Sequence, residues 1–459
     1  MSSTIKAQFC SARCGAGKTS SILRTLATEP ARYLYAVDRR EVAPGRELQI
    51  LEEARMAGMR EPIIEIVFSN SSNGGGSKGI AALIGEAIKR CDPLRHAIII
   101  VSHAGLKMTD HTTLSRKRWS LIIDETPDLF ELTSMDTGPM FVPFFEANYE
   151  MQEDGRIDVK RPVSASEFDR PSLRPLRQFH DLVKRGGARA SVTSWEETAE
   201  PWWVSRCWDA SLLGLFDSVV FFADSFPETI TYHHLKHEGV EFEEIFLADH
   251  RVWRDRKVRI YYYADDHEAS AGRFRDAAMR AELTKIAAHM SSLGINNHLW
   301  TTNASIAPIF APHAIAGDNV TPKQAGSNAW QHWHDASMIY AARPTPDEIL
   351  IHGQRGMTEA DLVRARGGYD IKQFCMRLSL RNPDSVEPVT IRLYDKEQAE
   401  ELKSYLDEAY GFNCEVEHID LDIKKPARAR GRPRKQTEEE RRVAKAIAQR
   451  KWKQARKAA

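Results

Sequence analysis

Ala12-Arg13-Cys14-Gly15-Ala16-Gly17-Lys18-Thr19-Ser20 follows an apolar run at 7–11 and precedes a helix-like segment at 20–27. Glycines let successive backbone N–H groups curl around phosphate oxygens, and a helix N-terminus adds partial positive charge at the same point. Gly15, Ala16, Gly17, Lys18, Thr19 and Ser20 are therefore expected to hold a nucleoside triphosphate. Lys18 would reach the β- and γ-phosphates, and the Thr19 hydroxyl would ligate Mg²⁺. ATP and Mg²⁺ are the expected cofactors.

About a hundred residues on, Leu121-Ile122-Ile123-Asp124-Glu125 reads as an apolar strand ending in two adjacent carboxylates. Alone this is an ordinary strand end running into an acidic loop. After a phosphate loop it is the expected second half of an ATPase site. Asp124 would hold the Mg²⁺ shell with Thr19, and Glu125 would polarise the attacking water.

Working outward, short apolar runs at 7–11, 33–37, 63–68, 97–101 and 120–123 alternate with helical stretches at 20–27, 45–57 and 80–89, the pattern of a parallel α/β sheet. A further buried strand is expected at 218–222, and 70–79, with Gly74, Gly75 and Gly76, reads as a loop. A second α/β unit starts near Val258, with helices at 273–292 and 371–380 and strands at 258–263, 297–301, 336–341 and 390–394. Between them, 131–216 is rich in Pro, Trp and Arg, including Pro201, Trp202 and Trp203, and looks like an inserted accessory region. The expected division is 1–240, 241–415 and a tail at 416–459.

The 459 residues carry 64 Lys+Arg and 64 Asp+Glu, a balance that hides an asymmetry. From Lys424 onward there are 15 basic against 3 acidic residues, leaving 49 against 61 in the rest. A basic tail on an acidic body points to a polyanion partner. Within it Thr437 and Glu440 form a capping box that would open a helix. Hydrophobic residues make up 42% and charged residues 28%, as in ordinary globular proteins. No apolar stretch is long enough to span a membrane, and the first 18 residues lack the pattern of a signal peptide. The 6 cysteines form no CxxC pair, which argues against a zinc ribbon or disulfide framework and fits a cytoplasmic setting.

With Ala12 in place of the usual first glycine, and with Asp124-Glu125, the chain resembles the DExx-box helicases of superfamily 2, particularly the small forms of phages and plasmids. Further segments match that family in order. Asp38-Arg39-Arg40 stands where motif Ia lies, and Ser102-His103-Ala104-Gly105-Leu106 resembles the T-H-x-x-L motif. Thr301-Thr302-Asn303 resembles motif IV, and Gln324-Ala325-Gly326-Ser327-Asn328 motif V. The resemblance implies that Arg39, Arg40, Ser102, His103 and Asn303 line a single-stranded nucleic-acid path. Ala223-Asp224-Ser225 takes the place of motif III, usually S-A-T, so Asp224 is a departure that bears on coupling. Gln373-x-x-x-Arg377-x-x-x-Arg381 resembles motif VI, and spacing of four would put all three on one helix face. In the family that face meets the ATP of the first domain, with Arg381 the preferred arginine finger and Arg377 the second.

Arg430-Gly431-Arg432-Pro433-Arg434 resembles an AT-hook, with Arg430, Arg432 and Arg434 expected in a narrow A·T-rich minor groove. The expected fold is thus two RecA-like P-loop domains, an insertion in the first, and a basic C-terminal extension. The expected activity is ATP-driven movement on DNA, single-stranded between the domains and duplex at the tail, in phage or mobile-element replication or recombination, with proteins of those processes as possible partners. Two alternatives stand beside it. Asp265-Asp266-His267-Glu268 could be nuclease carboxylates of a terminase-like ATPase–nuclease, and the chain could remodel DNA complexes without separating strands. The histidines at 233, 234, 237, 332 and 334 lack the companions of a metal site and are expected to be structural or surface residues.

Overall fold

The apolar runs of the N-terminal quarter are strands, and the central ones are buried on both faces. In the computed structural model, which describes residues 5–68, 79–109, 114, 118–247, 251–322 and 329–423, they are β1 (Ile5–Cys10), β2 (Arg32–Val37), β3 (Ile63–Val67), β4 (Ala97–Ser102) and β5 (Ser120–Asp124). A central group follows: β6 (Phe130–Met135), β7 (Tyr149–Met151), β8 (Ile157–Val159), β9 (Ala188–Ala190) and β10 (Trp202–Cys207). The chain then returns to the first sheet with β11 (Ser218–Phe222) and β12 (Val240–Glu244).

That sheet has the order β12-β1-β11-β5-β2-β4-β3, every neighbour parallel. Parallel strands are joined by crossovers that cover both faces, so their residues are apolar without alternation. Ala97 through Val101 are all fully buried. Helices α1 (Lys18–Thr28), α2 (Ala43–Met56), α3 (Ile80–Cys91) and α4 (His103–Met108) supply the cover. β1 and β5 flank β11, so the loop leaving β1 and the carboxylates ending β5 emerge at one edge of the sheet.

A second sheet is built from β13 (Lys257–Ala264), β14 (His298–Thr302), β15 (Asp318–Asn319), β16 (Asp335–Ile339), β17 (Val389–Asp395) and β18 (Asn413–His418). Its order is β15-β14-β16-β17-β13-β18, again all parallel. The first sheet reaches Glu244 and the second His418, each a few residues past the division expected from sequence.

The central group forms a module of its own. β6, β10 and β9 make an antiparallel sheet, and β7 pairs with β8 as a hairpin. Its core gathers Phe145, Tyr149, Phe168, Phe179, Trp195 and Trp202, with Phe145 stacked on Trp195 at 5.1 Å. Of the tryptophan pair that marks this region in the sequence, Trp202 lies in this core, whereas Trp203 packs against Phe130, Cys207 and Ile351.

Two expected helices are corrected. The segment at 273–292 is two helices, Ala271–Phe274 and Ala277–Ser292, because the Asp276 carboxylate caps a fresh start by accepting from Ala278 N at 2.9 Å. The helix expected at 371–380 runs only over Tyr369–Cys375. Phe374, Cys375, Met376, Leu378 and Leu380 are all buried, more consecutive positions than one helical stripe can cover. The chain instead turns, and Ser379–Arg381 forms a separate 3₁₀ turn.

Among the described residues no helix is long and apolar enough to cross a membrane. The glycine loop at 74–76, the motif V match at 324–328 and residues 424–459 of the tail, with Arg430, Arg432, Arg434 and the Thr437–Glu440 capping box, lie outside the described residues.

Candidate nucleotide cleft

The phosphate loop takes its shape from two glycines. Gly15 and Gly17 have φ of 82° and 90°, in the left-handed region that other residues avoid. Gly17 is the N-cap of α1, so the helix opens directly at Lys18. Lys18 is buried, and its Nζ donates to the carbonyls of Ala12 and Arg13, the latter at 3.1 Å.

At the end of β5, Asp124 is buried and accepts from Thr19 Oγ1 at 3.4 Å and from Tyr35 OH at 2.9 Å. Burial and the Asp124 charge push the Tyr35 phenol well up, so it stays a donor. Thr19 and Asp124, oxygen donors beside a helix N-terminus, fit the needs of a hard divalent cation. Glu125 stands at φ 70°, a backbone position costly for a side chain with a Cβ, held by its N–H to Phe222 O at 2.9 Å. Burial raises its pKa, with Asp124 adding to the shift and Lys18, Arg377 and Arg381 opposing it.

The facing wall comes from the second sheet. Gln373 lies in the last turn of the helix Tyr369–Cys375 and donates to Cys14 Sγ at 3.7 Å. Arg377 is buried in the turn beyond, donating to Gln373 O at 3.1 Å and Gln373 Oε1 at 3.4 Å. Arg381 lies in the 3₁₀ turn, its carbonyl 3.0 Å from where a Cβ on Gly15 would stand. The three do not share a helix face as their spacing suggested. They nevertheless line one cleft of about 660 Å³ with Gly15, Gly17, Lys18, Thr19, Ser20, Asp124 and Glu125. Ala16, buried at 6% exposure, supports the loop from behind.

The motif-like residues take varied places. Arg39 lines the same cleft, paired with Asp38 at 3.3 Å, whereas Arg40 is exposed and pairs with Glu41. The Ser102 hydroxyl caps α4 by accepting from Gly105 N at 3.0 Å. His103 is buried with Nε2 3.0 Å from Asp124 O, and burial lowers its pKa. Asn303 ties the ends of β14 and β16 through both amide atoms to Ala341. Asp224 is buried, accepting from Cys14 Sγ at 3.2 Å and Tyr405 OH at 2.6 Å. Burial and the Asp224 charge push the Cys14 thiol up to about 12.

The other candidates fall to structural roles. Asp265 accepts from Tyr262 OH at 3.1 Å, His267 bridges Asp266 and Tyr394, and Glu268 pairs with Arg343 at 2.8 Å. His234 meets His352 at 2.9 Å in a buried contact, and His334 is held by Glu387 and Ser379. Among the described residues no group of three or more His, Cys, Asp or Glu is arranged to hold a metal.

Three cleft features escaped the sequence reading. Tyr35 and Arg46 reach Asp124 of the cleft, and Tyr405 reaches Asp224 behind the loop residue Cys14. Only Arg46 left a trace, standing three after Ala43 and four before Ile50, both on the inner face of α2.

No family model and no curated protein matches the chain. Among solved structures it is similar to an XPD helicase, with TM-score 0.51 and 11% identity over 90% of this chain and 96% of that one. It is similar to XPD in its apo form, with TM-score 0.50 and 12% identity over 90% of this chain and 97% of that one. The fold is that of a helicase. The two parallel sheets accordingly correspond to two RecA-like domains, with the candidate cleft between them and the β6–β10 module inserted in the first. A structure of S. cerevisiae Dbp5 bound to RNA and ADP BeF3 is more remote, at TM-score 0.35 and 10% identity over 91% of this chain and 86% of that one.

Proposed function

We propose that this chain is an ATP-hydrolysing, helicase-type translocase and that its track is DNA. The single observation that carries the reading is the meeting of three elements in one cleft: the phosphate loop, the Asp124–Glu125 strand end, and Arg377 with Arg381 from the other domain. A nucleotide bound there is touched by both domains, so its hydrolysis changes what holds them together.

The roles follow from chemistry and position. Backbone N–H groups of Gly15 to Ser20 and the Lys18 ammonium receive the β- and γ-phosphates. Thr19 and Asp124 would hold Mg²⁺, which neutralises charge on the β- and γ-oxygens when bound. Glu125, its pKa raised by burial, accepts the proton of the attacking water. Arg381, with Arg377 behind it, faces charge developing on the γ-phosphate, and Gln373 orients Arg377 through its carbonyl and amide oxygens. DNA is favoured by the basic tail and its Arg430, Arg432 and Arg434 around Gly431 and Pro433.

The deciding experiment is ATP turnover measured alone and with single-stranded DNA, duplex DNA or RNA. Stimulation by DNA above RNA is expected, and turnover indifferent to every nucleic acid would refute the translocase reading. Removing residues 424–459 should leave basal turnover intact and weaken duplex binding. It should also flatten the salt dependence of that binding, by about 0.9 in slope for each phosphate that the tail neutralises. Arg432→Ala should weaken A·T-rich duplex more than G·C-rich duplex, and equal loss on both would reduce the tail to a nonspecific arm.

A further inference from the structure

We infer that Arg46, in the N-terminal half of α2, is a triphosphate-binding residue of the cleft. This rests on the nucleotide reading given above and adds to it a cation that no phosphate-loop or motif VI pattern would contain.

Helix α2 packs against the phosphate-loop helix α1. Ala43, Ile50 and Ala54 are its buried positions, and Arg46 falls on the same inner stripe. Its side chain is only 21% exposed, an unfavourable location for a guanidinium unless its donors are used. They are used poorly. Nη2 is 3.9 Å from Asp124 Oδ2, the outer limit of an ion pair, and Nη1 donates to Gln49 Oε1 at 3.2 Å. Nε–H is buried and meets no acceptor among the described residues.

Asp124 does not need Arg46 to position it. Tyr35 at 2.9 Å and Thr19 at 3.4 Å already hold that carboxylate. What Arg46 adds is a planar fork of donors lining the same cleft as Lys18 and Thr19. Several oxygens on one anionic group are the partner that such a fork matches, and phosphate is that group. A divalent cation between Thr19 and Asp124 would further weaken the attraction of Arg46 to Asp124 by like-charge repulsion. Phosphate oxygens then remain as its favourable partners.

The competing account is that Arg46 merely neutralises Asp124, and a double-mutant cycle separates the two. ATP binding is measured by calorimetry in EDTA for the full chain, Arg46→Gln, Asp124→Asn and the double variant. Direct phosphate contact predicts that Arg46→Gln weakens ATP binding about tenfold in both the wild-type and Asp124→Asn backgrounds. Arg46→Lys, which keeps the charge and loses the fork, should fall between, with thermal melting confirming that each variant is folded. A loss that disappears once Asp124 is Asn overturns the assignment, as does an unchanged affinity in Arg46→Gln. A wild-type chain that binds no ATP would instead overturn the nucleotide reading of the cleft, and this inference with it.

Discussion

The two walls of the cleft are made in different ways. On the first domain's side the binding groups are backbone N–H groups at a helix start and carboxylates at a strand end, fixed by the elements that carry them. On the second domain's side a helix stops at Cys375, and Arg377 and Arg381 follow in a turn and a 3₁₀ turn. Their positions depend on the burial of Met376, Leu378 and Leu380 and on Ser379, whose hydroxyl lies 2.8 Å from His334 Nδ1. The first wall is written in local sequence and the second in tertiary packing. Damage to the first should therefore strike nucleotide binding, and damage to the second the rate of turnover.

Lys18→Ala gives the largest expected effect. It removes the loop's own cation, so both ATP binding and turnover should fall to background in a folded protein. Full turnover in that variant would abolish the distinction between the walls.

Glu125→Gln should lower kcat by about 10² to 10⁴ while preserving nucleotide affinity. In the parent, activity should fall as pH drops through a Glu125 pKa above the usual carboxylate range, and this limb should vanish in the variant. Stability runs the other way. A raised folded-state pKa means that stability present below the unfolded value is lost as pH rises through the folded one. Once pH has risen through its folded-state pKa, Glu125 is thus a burden on the fold, and above that point Glu125→Gln should melt at a higher temperature than the parent.

Arg381→Ala sharpens the comparison further, with a drop in kcat of about 10² to 10³ and a smaller change in nucleotide affinity. Equal losses in both would make the second wall a binding surface like the first. The smallest effect on the cleft belongs to Trp202→Ala in the inserted module. It should cost about 3–5 kcal/mol of that module's stability, read by denaturant melting, and leave basal ATP turnover unchanged.

The same contrast explains what could be read from the sequence. Runs such as 97–101 and 121–123 declare buried parallel strands because every residue is apolar, and Gly15-Ala16-Gly17-Lys18-Thr19 needs only its neighbours to be understood. Gln373, Arg377 and Arg381 line the same cleft as the glycine loop, although not from one helix face. A spacing of four implied a continuous helix, whereas burial of Leu378 and Leu380 breaks it. Asp224 stood out as a departure from motif III, and its meaning lies in Tyr405, 181 positions away, and in Cys14. Tyr35 was one more apolar letter in a strand until the register of β2 beside β5 brought its hydroxyl to Asp124. Pairings of this range leave no local signal.

The inserted module enters and leaves the first domain through a single seam. β6 and β10 lie antiparallel from Phe130 opposite Cys207 to Met135 opposite Trp202, so the points where the chain departs and returns are side by side. A short turn could in principle bridge them without disturbing the order of the parallel sheet. Such a seam would let the whole module be gained, lost or exchanged in one genetic event while the parallel sheet and the cleft stay as they are. Removal of the module at that seam is thus the change that the order of the parallel sheet would feel least.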